Sequence, residues 1–160
     1  EAQSVALHLA DADGEDTQAA WDELARELPE GRPLGEEEPA QQVVEAWAGV
    51  ARSRLRHGRA AEALEALRFA LPYLAAPSRV DHILRAELAY LEARCELARG
   101  ELAAADAAIE RLLDLRPTWW GRWRAGELER DALQVLRARG AKEEALIARR
   151  LPMRREPAAA

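Results

Sequence analysis

The chain has 160 residues and a net charge of −6, and small and aliphatic residues dominate its apolar content. Hydrophobic residues make up 49% of the sequence, aromatic residues only 5%, and charged residues 32%. This length suits one domain with a buried core. The acidic balance argues against nucleic-acid binding, which normally needs a basic surplus. No apolar run approaches the roughly 20 residues that span a bilayer, so no membrane span is expected.

The first 30 residues are predicted to form an N-terminal element (residues 1–30). The short apolar run at residues 5–9 is compatible with a strand or coil, or with a frayed helix. Residues 15–28 are predicted to form one helix, because their apolar side chains recur at helical spacing. Either Asp13 or Asp16 can cap its start.

Glycine and proline divide the rest of the chain. Residues 31–39 contain two of each, which predicts a linker between the N-terminal element and the main body. Residues 40–151 are predicted to be helical throughout, and residues 152–160 to form a flexible tail. The predicted helices of the body are residues 39–57, 60–75, 79–99, 102–115, 119–139 and 142–151.

Three glycines mark a repeat in the helical body. Gly58, Gly100 and Gly140 each follow a long helix, and an alanine lies five residues after each of them. Glycine readily adopts the left-handed conformation that ends a helix. The small alanine allows the second helix of a hairpin to approach the first closely.

These positions resemble the consensus of the tetratricopeptide (TPR) family, although the glycines recur at about 40 residues rather than 34. The resemblance covers residues 40–151. It implies an all-α fold, a right-handed stack of antiparallel helical hairpins with about three elongated repeats. The matching residues are Trp47, Val50, Ala51, Gly58, Ala63, Leu67 and Ala70, then Ala93, Gly100, Ala105, Ile109 and Pro117, then Gly140 and Ala145.

In TPR proteins the first helix of each hairpin lines a groove that receives a peptide or a partner helix. A groove lined by arginines would suit an acidic segment or a C-terminal carboxylate, through bidentate hydrogen bonds. The alternative is that these arginines are solvated or paired with neighbouring glutamates. Carried over by register with the glycines, the groove residues are Ala48, Arg52, Leu55, Arg56, Tyr90, Arg94, Leu97, Arg130, Gln134 and Arg137.

A cluster of tryptophans is a second candidate binding site. Trp119, Trp120 and Trp123 follow Pro117 at the start of a predicted helix. One or two of them can pack between hairpins as core. Because three residues within five positions cannot all face inward, at least one is expected to be partly exposed, where tryptophan often carries binding energy.

The sequence shows no catalytic or metal-binding motif, so an enzyme is not expected and no cofactor is predicted. The histidines His8, His57 and His82 have no ligand spacing to one another or to Cys95. Cys95 lies on the apolar face of its predicted helix, which favours a buried thiol over a reactive nucleophile.

Residues 5–29 show a second, much weaker likeness. The sequence Leu7-His8-Leu9-Ala10, followed by an acidic turn and by Trp21, is similar to the first strand and helix of sporulation-related (SPOR) peptidoglycan-binding domains. The second half of that fold is absent.

The functional expectation is a scaffold that binds a protein or peptide partner and helps to assemble a larger complex. The bias towards arginine and alanine indicates a bacterial source. The alternatives are a regulatory or sensor helical module of a larger regulator, and a cell-envelope protein that contacts peptidoglycan. Cytoplasm and periplasm both stay open, and the SPOR likeness favours the periplasm.

Overall fold

The chain is all-α over the residues that the structure, a computed structural model, describes, namely 2–12, 16–74 and 82–115. These ranges contain six α-helices, one 3-10 helix and no strand. The elements are α1 (Ala2–Ala12), α2 (Gln18–Glu27), α3 (Ala40–Arg56), α4 (Ala60–Ala70), a 3-10 helix (Leu71–Leu74), α5 (His82–Ala98) and α6 (Leu102–Leu115).

The N-terminal element differs from its prediction. Residues 5–9 lie inside α1, so their interpretation as a strand or coil is wrong. The run is flanked by alanines on both sides, which are strong helix formers, and Leu7 packs against the core. At the start of α2, the backbone N–H of Gln18 donates to Asp16 Oδ1 at 3.2 Å. Asp16 therefore contacts the helix start from the residue before the N-cap, Thr17, and Asp13 lies outside the described residues.

The helices predicted at 39–57 and 102–115 agree with α3 and α6 to within one residue, and α5 ends one residue before its predicted end, while its predicted start at residue 79 lies outside the described residues. The helix predicted at residues 60–75 stops at Ala70, and the chain continues as the 3-10 helix. Pro72 has no N–H to donate to an α-helical hydrogen bond, which explains the change. The helices predicted at 119–139 and 142–151, the tail at 152–160 and Gly140 lie outside the described residues.

Two of the glycine turns are described, and both end a helix as predicted. Gly58 and Gly100 adopt φ angles of 74° and 75°. At the first turn Arg59 N donates to Arg54 O at 2.9 Å, and Gly58 N donates to Leu55 O at 3.1 Å. The same pair of bonds recurs at Gly100. This is the Schellman arrangement, which satisfies the last carbonyls of a helix and requires a left-handed residue.

Consecutive helices pack against each other, and the contacts also run between pairs. Helix α3 packs along α4, and α5 packs along α6. Helix α2 contacts α3, and α4 contacts α5, while α1 rests on α2 and α3 and α5 also touches α3. One hydrophobic cluster extends from Trp21 of α2, through Trp47 of α3, to Cys95 of α5.

The stretch predicted as a linker is anchored to the helices on both sides of it. The Trp47 indole N–H donates to Pro29 O at 2.9 Å. The Tyr73 hydroxyl accepts from Gly31 N at 2.9 Å and donates to Arg32 O at 3.0 Å. These bonds seat residues 29–32 on α3 and on the 3-10 helix, so the N-terminal helices share one core with the body.

The closest approach between α2 and α3 depends on a glycine. Trp21 is fully buried, and its six-membered ring lies directly over Gly49 of α3. A Cβ atom at position 49 would lie closer to the ring than real Cβ contacts come. Glycine is unfavourable inside a helix by about 1 kcal/mol relative to alanine. We infer that this cost is tolerated because the tryptophan fills the space.

We predict that Gly49→Ala lowers the free energy of unfolding by about 1–3 kcal/mol, because overpacking outweighs the gain in helix propensity. Urea denaturation followed by circular dichroism would measure the change. The control is Trp21→Leu with and without Gly49→Ala. The double variant should lose less than the sum of the two single losses, and strict additivity would mean that residues 21 and 49 do not press on each other.

Candidate functional site

The candidate site is the surface made by α1, α3 and α5, which we call the first-helix face and define by His8, Asp11, Arg52, Arg56 and Glu87. Arg52 stands at its centre. Its Nη1 lies 3.4 Å from His8 Nδ1, and its Nη2 donates to Glu87 Oε1. A row of three polar side chains thus crosses three helices.

A second row lies one turn along α3. Arg56 is four residues after Arg52, which puts both on the same side of the helix. Its Nη2 is 3.1 Å from Asp11 Oδ2. Because His8 and Asp11 are three residues apart on α1, the two helices meet through two matched pairs, His8 with Arg52 and Asp11 with Arg56.

Asp11 is bound by three side chains. It accepts hydrogen bonds from Trp21 Nε1 at 2.9 Å, from Thr17 Oγ1 and from Arg56. Its side chain is only 10% exposed. Burial opposes its ionisation, but the bonds from Thr17, Trp21 and Arg56 outweigh burial, and the pKa of Asp11 is lowered.

His8 is held in its neutral form. Its ring meets the Trp21 ring edge to face, with centroids 4.9 Å apart. Burial, and then the charge of Arg52, lower the pKa of His8, against the opposing effect of Asp11, Glu87 and Glu45. A neutral imidazole is compatible with the neighbouring guanidinium, since Nδ1 can accept a hydrogen bond from it.

The predicted groove residues of α3 fall partly on this face. Arg52 and Arg56 belong to it, and both are paired with carboxylates of the same chain, Glu87 and Asp11. Leu55 is half-buried and packs against the core. Ala48 is buried, with 1% of its surface exposed, so it is not available to a partner.

The predicted groove residues of α5 have different environments. Tyr90 is 1% exposed and therefore lies in the core. Arg94 is exposed, with its guanidinium 5.7 Å from the centroid of the Tyr90 ring and its Nη1 donating to the Tyr90 hydroxyl at 2.9 Å. Leu97 is half-buried. Arg94 lies two turns after Glu87, on the same side of α5.

The remaining predicted site residues lie outside the described part of the chain. They are Arg130, Gln134, Arg137, Trp119, Trp120 and Trp123.

Sequence reasoning missed His8, Asp11 and Glu87 as members of the face. The i, i+3 spacing of His8 and Asp11 carries a signal only once residues 2–12 are assigned to a helix. Glu87 lies on the predicted helix at 79–99, but which arginine it meets depends on how α5 packs on α3. The sequence analysis had left two alternatives open for the groove arginines, namely that they bind a partner or that they are solvated or paired with neighbouring glutamates.

A cleft of about 270 Å³ lies between α2, α3 and α4. Trp47 and Phe69 contribute its aromatic wall, with ring centroids 5.1 Å apart. Arg59 Nη1 is 2.7 Å from Asp22 Oδ2, and Arg54 Nε is 3.5 Å from Asp22 Oδ1. Although burial opposes ionisation, these arginines lower the pKa of Asp22. The acidic and basic side chains that line the cleft therefore compensate one another within the chain.

Cys95 is buried, as the sequence predicts. Burial, followed by the charges of Glu96 and Glu92, raises the pKa of its thiol to about 12. The thiolate, which is the reactive form, is therefore not populated at neutral pH.

Comparison of the chain with protein-family models, with curated proteins and with solved structures gives no match. Within residues 2–12, 16–74 and 82–115, no three His, Cys, Asp or Glu side chains are grouped so that they could hold a metal ion. None of the helices in these ranges has the length and apolar character needed to cross a membrane.

The lowered pKa values of His8 and Asp11 predict two steps in stability as the pH falls. Neutral His8 is favoured in the folded state, so its contribution is complete above pH 6.5 and is lost as the pH falls below that value. The contribution of ionised Asp11 is complete above pH 3.8 and is lost below it. Urea denaturation of the wild-type chain between pH 8 and 3 would measure the free energy of unfolding.

The matched variants separate these two groups from the other titrating residues. His8→Phe keeps a ring against Trp21 and should remove the step that begins near pH 6.5. Asp11→Asn should reduce the loss below pH 3.8. Profiles of both variants that run parallel to the wild type would show that neither group is coupled to folding.

Proposed function

We propose that this chain is a TPR-like scaffold that binds an acidic segment of a partner protein on the first-helix face. The observation that carries the proposal is the order of the helix contacts. In each described case the second helix of one pair touches the first helix of the next pair, as α2 touches α3 and α4 touches α5. First helices also touch each other, α1 with α3 and α3 with α5.

This order of contacts is what a solenoid of helical hairpins requires, since each hairpin covers its apolar face with its neighbours only. In the proposal, α1 and α2 form a further hairpin before the two that the glycines mark. The first helices α1, α3 and α5 then lie on the face that receives the partner.

The chemistry of the exposed side chains supports an acidic partner. The Arg94 side chain is exposed, and the Arg56 side chain is 45% exposed although it pairs with Asp11. Guanidinium groups bind carboxylates through two parallel hydrogen bonds. Leu97, half-buried beside Arg94 on α5, offers apolar contact to the same segment.

Selection of a random-peptide display library on the immobilised chain would test this proposal. We expect the enriched peptides to carry clustered Asp or Glu, and we expect Arg94→Glu to weaken their binding at least about tenfold, the loss of one charge-assisted hydrogen bond. Fluorescence polarisation of a labelled selected peptide would give the dissociation constants.

Arg68→Glu is the matched control, because Arg68 is also exposed and the net charge changes equally, but it lies on α4. It should leave the dissociation constant within a factor of about two, once bulk electrostatic attraction is screened by 0.15 M salt. Equal losses in the two variants would show that net charge, and not the first-helix face, attracts the peptides. Selection of peptides without acidic residues would exclude an acidic partner.

A further inference from the structure

Helix α1 differs from the other described helices in how it is held. None of its described side chains is buried, whereas α2 to α6 each bury at least three. Leu7 packs partly against the core, and Leu9 is 63% exposed. Over its described side chains the helix therefore contributes little apolar burial, which is the main source of stability for a docked helix.

Polar contacts attach the C-terminal half of α1 to α2 and α3. Asp11 binds Arg56, Thr17 and Trp21, and His8 lies against Arg52 and Trp21. These contacts are concentrated in the last two turns of α1. Attachments of this kind depend on charge and can exchange partners without opening the hydrophobic core, because the packing of Trp21 on Gly49 joins α2 to α3 and does not involve α1.

The contacts of α1 also define which side chains are accepted by the surface on which α1 lies. We call this surface the seat of α1 on α3. The seat takes an apolar side chain at the position of Leu7, an acceptor at the position of His8 and a carboxylate at the position of Asp11. Any helix with an apolar residue and a carboxylate four positions later can present the same groups on one side. Arg56 Nη2 and Trp21 Nε1 are the donors that select the carboxylate.

We propose that α1 is a replaceable member of the first-helix face, and that the partner is an acidic amphipathic helix that takes its place by offering a carboxylate to Arg56 and Trp21. This inference rests on the proposed function and specifies its partner and its regulation. The chain blocks its own seat until a competing helix displaces α1. Release of α1 leaves Arg52 still paired with Glu87.

Competition with a tethered helix has a measurable consequence. A segment linked to its own seat is present at a high effective concentration, of millimolar order for short flexible linkers. A partner in solution therefore binds more weakly to the wild-type chain than to a chain in which α1 is weakened. The affinity of the partner should rise when the α1 contacts are removed and fall when the seat itself is altered.

The test adds a labelled synthetic peptide with the sequence of residues 1–12 to the full chain and follows binding by fluorescence polarisation and by NMR. We expect the chain that carries Asp11→Asn to bind this peptide at least about tenfold more tightly than the wild-type chain does. Arg56→Gln, added to the same chain, should abolish binding. A peptide that itself carries Asp11→Asn should not bind. The control Glu23→Gln removes an exposed carboxylate of α2 and should behave as the wild type.

Hydrogen exchange on the same full-length samples reports the state of α1 directly. A bound acidic peptide, either the residue 1–12 peptide or one from the display selection, should raise exchange of residues 2–12 and leave residues 40–56 protected. Equal affinity of the wild-type and Asp11→Asn chains for the peptide would overturn the inference. So would binding of display peptides without faster exchange in residues 2–12.

These outcomes also separate the inference from the proposed function. Display peptides that depend on Arg94 but leave α1 protected would keep the proposed function and remove the replaceable helix. Binding of the residue 1–12 peptide to Asp11→Asn, together with no acidic enrichment in the display selection, would keep the seat of α1 and remove the acidic-partner scaffold. Absence of binding in every arm would remove both.

Discussion

The position of the N-terminal helices depends on a single side chain, the indole of Trp21. Its ring lies on Gly49, where there is no room for a Cβ atom between α2 and α3. Its N–H donates to Asp11, and its ring meets the His8 ring edge to face. This residue thus packs α2 on the core and, together with the Asp11–Arg56 and His8–Arg52 pairs, positions α1 over α3.

The packing around Trp21 changes how the arginines of α3 are interpreted. An arginine-lined groove suggests a basic surface that waits for an acidic partner. In the structure Arg52 and Arg56 already bind carboxylates of α5 and α1, which satisfies them within the chain. Recognition of an outside carboxylate then becomes an exchange between an internal and an external acid, with little net cost for the guanidinium. Such exchanges are sensitive to small changes in either acid.

Much of the fold was predictable because it depends on local chemistry. Gly58 and Gly100 end their helices through left-handed conformations that few other residues adopt cheaply, and the burial of Cys95 follows from helical periodicity. The helical state of residues 5–9 was not predictable, since a run of five residues with four apolar side chains carries no distinctive period. The pairing of Asp11 with Arg56 could not be predicted either, because it joins residues 45 positions apart through the packing of three helices.

The arrangement around Trp21 can be tested most directly by nuclear Overhauser spectroscopy on the isotopically labelled full chain. The account predicts cross-peaks from the Trp21 indole protons to the Gly49 Hα protons and to the His8 imidazole protons, whose ring centroid is 4.9 Å away. Cross-peaks from Trp21 to Gly49 alone would show that α1 is not seated on α3. Absence of both sets would contradict the packing of α2 on α3 and the first-helix face with it.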